Sequence, residues 1–112
     1  MKSLMKEEMT LETWTKLIQM MRSSNMEDFF LGLELYKNMK RSRAYDLLLI
    51  KSFGGEKRRE IIVGIKHVSK VHAMFMTLES IKDQCITENE KLIFKNLEDE
   101  YSNYKSKSKQ DS

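Results

Sequence analysis

The chain has no proline, a single cysteine, four glycines and one tryptophan. Few helix breakers remain, which favours helices joined by short connections. Cys85 is alone, so no internal disulfide can form, and a reducing compartment is the simplest fit. Long apolar runs are also missing. The longest is Leu47-Leu48-Leu49-Ile50, closed by Lys51, whereas a membrane helix takes about 20 apolar residues. Residues 1–8 lack the apolar core of a secretory signal. The expected location is therefore cytoplasmic, with no membrane partner. The Lys, Asn, Ile and Met content fits an AT-rich genome such as a virus's, which would make this the host cytoplasm.

What is present suffices for one small core. The chain has 112 residues, 40% hydrophobic and 33% charged, enough apolar content to fold rather than remain disordered. The net charge of +3 is unevenly spread. Residues 37–72 carry ten Lys/Arg against Asp46, Glu56 and Glu60, a net of +7. Residues 1–36 carry −2, residues 73–100 carry −4 and residues 101–112 carry +2. A basic middle between acidic flanks is the most informative feature of the chain.

Apolar residues recur at helical spacing almost throughout. Thr10 is a candidate cap for a first helix bearing Leu11, Trp14, Leu17, Ile18 and Met21 and ending at Arg22–Ser23. Ser24-Asn25-Met26-Glu27 has the form of a capping box. Behind it Met26, Phe29, Phe30, Leu33, Tyr36 and Met39 form a wide apolar face, and the two stripes should pack as an antiparallel hairpin. A third helix, 42–53, is apolar nearly all round and should be central, with Gly54-Gly55 ending it. One stripe then runs from Ile61 through Val68 and Phe75 to Cys85, as one helix or as two kinked near His72. A second capping box, Thr87-Glu88-Asn89-Glu90, opens a last helix with Ile93, Phe94, Leu97, Tyr101 and Tyr104 on one side.

The expected fold is an all-α, compact bundle of four to six helices. Residues 1–9 form a flexible N-terminus, 10–104 a single helical domain, and 105–112 a disordered Lys/Ser tail. Trp14, Leu17, Phe29, Leu33, Leu48, Ile61, Ile65, Val68 and Leu97 should be buried. The stretch from Trp14 to Met39, with its short polar turn and Gly32 in mid-face, resembles the helical hairpin of a HEAT or armadillo repeat. The resemblance covers about a quarter of the chain, without a second copy at a fixed period, and implies a binding scaffold.

Little points to chemistry. His67 and His72 are five apart and fall on different helix faces, unlike metal-binding pairs at i, i+4. Cys85 continues an apolar stripe and reads as a small core residue. Glu27-Asp28 and Glu98-Asp99-Glu100 read as solvated surface. Met20, Met21, Met26, Met39, Met74 and Met76 lie on or beside core stripes. No nucleophile motif, zinc spacing, dinucleotide fingerprint or kinase signature occurs. The expectation is a non-enzyme without metal, cofactor or catalytic residue.

The basic middle is the candidate site. Lys40, Arg41 and Arg43 follow the second helix, and Lys57, Arg58 and Arg59 follow Gly54-Gly55. Gly54-Gly55-Glu56-Lys57-Arg58-Arg59 reads either as a phosphate-holding helix start or as an ordinary turn with a solvated basic first turn. If the third helix brings the two clusters together, they would form one contact surface. The expected function is a small helical adaptor or regulatory protein binding an acidic protein surface. The alternatives are a nucleic-acid-binding accessory protein and a self-assembling homo-oligomer.

Overall fold

The computed structural model describes residues 7–65 and 76–111, with side chains through Asn103. Among these residues the protein is an all-α bundle of six helices: α1 Leu11–Met21, α2 Met26–Lys37, α3 Arg43–Lys51, α4 Gly55–Ile65, α5 Leu78–Lys82 and α6 Glu88–Asp111. Val68, His67, His72, Met74 and Phe75 lie outside the described residues, and the tail expected to be disordered falls at the end of α6.

Local chemistry sets the helix ends. Thr10 caps α1 by accepting the Thr13 amide at 3.1 Å. At α2 the cap is Asn25, not Ser24. Asn25 Oδ1 accepts the Glu27 amide at 2.9 Å, while Ser23 Oγ accepts the Asn25 amide and donates to Asp28. The shorter Asx geometry therefore displaces the expected box by one residue. Gly54-Gly55 does not end α3, whose C-cap is Ser52 in a right-handed conformation. Gly55, at φ 59°, instead turns the chain into α4, a left-handed conformation that suits glycine. The box at Thr87 forms as expected: Thr87 Oγ1 accepts the Glu90 amide, and Glu90 Oε1 accepts the Thr87 amide, both at 3.1 Å. Thr77 is extended and caps α5, so a single unbroken helix from Ile61 to Cys85 is excluded.

The first two helices pack as the hairpin their stripes predict, and Gly32 lets them approach. A Cβ there would lie 2.7 Å from Met21 Cγ and 3.3 Å from Met20 Cβ, too close for any side chain to fit without displacement. Trp14 rests edge-on against Tyr36, ring centroids 6.2 Å apart. Phe30, expected on the buried face, is 43% exposed. The arc that α2 buries is Phe29, Gly32, Leu33 and Tyr36, and Phe30 lies about 100° round from Phe29.

The third helix is the centre. Every residue from Ala44 to Ile50 is buried, and α4, α5 and α6 pack against it. Trp14, Leu17, Phe29, Leu33, Leu48, Ile61, Ile65 and Leu97 all enter the core, as does Cys85. Met9, expected in a flexible N-terminus, is also buried, at 1% exposure. The Lys40 amide donates to the Glu7 carbonyl at 2.9 Å, so this strap is tied down by one backbone bond and one apolar anchor. No described helix is long and apolar enough to cross a membrane.

Candidate functional site

The six expected cations fall into two groups at opposite ends of α3. Its nine residues separate the ends by about 13 Å at 1.5 Å per residue. The third helix thus holds the clusters apart instead of bringing them together.

At the N-terminal end Arg41 turns inward. Its Nη1 donates to Asp46 Oδ1 at 3.0 Å, and the same oxygen accepts the Tyr36 hydroxyl at 2.6 Å. The guanidinium also stands 5.5 Å from the Tyr36 ring centroid, close enough for a cation–π contact. Asp46 is 2% exposed and sits in the first turn of α3, where the helix dipole favours an anion. Burial, then the neighbouring Asp46 charge, pushes the Tyr36 hydroxyl well above its ordinary pKa. A second buried carboxylate lies alongside. Ser42 caps α3 by accepting the Tyr45 amide and donates its hydroxyl to Glu90 Oε2 at 2.7 Å. Glu90 Oε1 takes the Ile86 and Thr87 amides, so one side chain joins the starts of α3 and α6. Burial pulls the Glu90 carboxyl up, but the hydrogen bonds from Ser42, Ile86 and Thr87 outweigh it and hold its pKa below the ordinary value.

At the C-terminal end the cations meet carbonyls. Arg58 Nε donates to Ile50 O at 3.1 Å and Phe53 O at 2.7 Å. Lys57 Nζ donates to Met21 O at 2.6 Å and Ser23 O at 3.0 Å, capping the end of α1. The ammonium also stands 5.5 and 5.8 Å from the centroids of Phe29 and Phe53. The expected solvated basic turn is thus corrected at Lys57 and Arg58: exposed carbonyls at helix ends need donors, and these two side chains supply them. Burial, then the Arg58 charge, lowers the Lys51 pKa.

Lys40, Arg43 and Arg59 remain outward. Lys40 pairs with Glu8 at 3.1 Å, with both side chains about two-thirds exposed. Arg43 and Arg59 are exposed and make no ion pair among the described residues. All six cations are readable from the sequence, but Asp46 as the partner of Arg41, and the bond from Ser42 to Glu90, are not. A signal existed at Asp46: an acid inside an otherwise apolar helix must find a donor.

Among the described residues no three His, Cys, Asp or Glu side chains are grouped to hold a metal ion. A surface cleft of about 310 Å³ lies where α1, α3 and α6 meet, lined by Arg22, Lys51, Ser52, Leu97, Glu100 and Tyr101. An Arg22–Glu100 ion pair of 3.0 Å and a Tyr101 hydroxyl bond to the Lys51 carbonyl fasten its rim. No family model, curated protein or solved structure matches this chain.

Proposed function

We propose that this protein is a small, non-enzymatic helical adaptor or regulator that binds an acidic surface of another protein. The observation that carries the reading is the division of labour among the cations. Arg41, Lys57 and Arg58 are spent on internal acceptors, whereas Arg43 and Arg59 stand in solvent without a carboxylate partner among the described residues. Isolated surface ion pairs contribute only about 0–1 kcal/mol, so exposed unpaired arginines gain the fold little and suit an external anion. The buried ionisable groups point the same way, since Asp46 and Glu90 are engaged by bonds that hold helices.

The test compares a short Asp/Glu-rich peptide with a duplex DNA oligonucleotide as probes. The acidic peptide should bind with a shallow salt dependence, and Arg43→Glu with Arg59→Glu should abolish that binding while leaving the helical spectrum unchanged. Binding to the duplex alone, falling steeply with salt, would replace this reading with the nucleic-acid one, because phosphate neutralisation releases counterions. Unchanged peptide binding by the doubly reversed variant would show that these arginines are only a solvated face.

A further inference from the structure

A helix lying on a core normally shows water a polar face, and α1 does so with Glu12, Thr15, Lys16 and Gln19. Its hairpin partner shows water a face that mixes apolar and acidic side chains. Besides the arc that α2 buries, Phe30, Leu31 and Leu35 are 43%, 52% and 45% exposed. Glu27, Leu31 and Leu35 follow at steps of four, so they lie along one ridge, with Asp28, Glu34 and Phe30 beside it. All six side chains are exposed. The charge on this face is of one sign. The only cation of α2 is Lys37, which is half-buried and held by Glu34 at 3.1 Å.

We propose that the outer face of α2 is a second docking surface, which takes a basic amphipathic helix of another protein. Leu31 and Leu35 supply the apolar contact for its stripe, with Phe30 on one flank. Glu27 and Asp28 face its lysines or arginines, while Glu34 stays with Lys37. The apolar content is what distinguishes this face from ordinary solvated surface, and its acidic rim selects a cationic occupant rather than an acidic one. The surface does not depend on Arg43 or Arg59. Its charge is opposite to theirs, so a protein holding both sites can join two partners of unlike charge.

The experiment uses the full chain and two dye-labelled helical peptides of one pattern, Leu/Lys and Leu/Glu. The Leu/Lys peptide should bind saturably at one per chain, and the Leu/Glu peptide should not. Leu31→Ser with Leu35→Ser should weaken binding about tenfold or more, since two leucines lose the contact they would bury, with the thermal midpoint nearly unmoved. Glu27→Lys should also weaken binding and flatten its salt dependence. Paramagnetic broadening by a spin-labelled Leu/Lys peptide requires no substitution, and it should concentrate on residues 27–38 of the unaltered protein. Equal binding of both peptides, broadening centred on another helix, or unchanged affinity in the serine variant would each overturn the proposal. So would light scattering that shows a dimer abolished by those serines, because the occupant would then be a second copy of this chain.

Discussion

The two ends of α3 are held by opposite kinds of charge. At the N-terminal end the buried groups are carboxylates, Asp46 and Glu90, fed by hydroxyls, amides and the Arg41 guanidinium. At the C-terminal end half-buried cations do this work, Arg58 on the Ile50 and Phe53 carbonyls and Lys57 on the Met21 and Ser23 carbonyls. The helix dipole accounts for the sorting, because anions are favoured near free amides and cations near free carbonyls. Arg41 is the exception, a cation at the unfavourable end, and it is held there by Asp46. Proximity along the chain therefore says little about duty: Arg41 and Arg43 are two residues apart, yet one is locked inward and the other is in water.

Four measurements bear on this contrast. The largest effect should come from Asp46→Ala, which strands the Arg41 guanidinium and the Tyr36 hydroxyl beside the core. Breaking a buried pair from one side costs about 3–5 kcal/mol, and urea unfolding should register it. A loss far smaller than that would mean water reaches the pair and the N-terminal end is not sealed. Arg58→Ala removes a charged donor from the Ile50 and Phe53 carbonyls and should cost about 1.5–3 kcal/mol. If it equals Asp46→Ala, the asymmetry between the ends disappears.

Glu90→Gln tests the N-terminal end by pH. The folded Glu90 pKa lies below the ordinary carboxyl value, so its contribution is complete above about pH 4.3 and is lost as pH falls through the folded value. The Gln variant should be less stable at neutral pH, and its stability should decline less steeply through the acid range. Parallel acid profiles would remove Glu90 from the account. The smallest effect belongs to the outward cations. Arg43→Glu with Arg59→Glu should leave the unfolding midpoint nearly unmoved, in contrast to any change at Arg41 or Arg58.

The bundle was legible in the sequence wherever one stripe met one core. Leu17, Phe29, Leu33, Leu48, Ile61 and Leu97 are buried as their spacing implies, and the Thr87 box closes through two local bonds. What escaped was set across the fold. Lys57 finds Met21 O thirty-six positions away, and Ser42 finds Glu90 forty-eight positions away, pairings that no periodicity encodes. Phe30 was misplaced because two-sided apolar helices give the stripe no unique centre. Met9 escaped because the strap that carries it is fixed by the Lys40 amide on the Glu7 carbonyl, a pairing far apart in the sequence. Of the candidate site, residue types were readable and orientation was not, since a guanidinium aimed at a carbonyl and one aimed at solvent are the same letter.

The enclosure of α3 from Ala44 to Ile50 has a consequence for how the molecule opens. Nine residues are too few for a helix to persist alone in water. Its hydrogen-bonded turns exist only while α4, α5 and α6 stand around them. The amides of Leu48, Leu49 and Ile50 should therefore exchange with deuterium last, and only in events that dismantle the whole bundle, so that their exchange free energies equal the global one. The first turn of α1, at the surface behind its Thr10 cap, should exchange through local fraying.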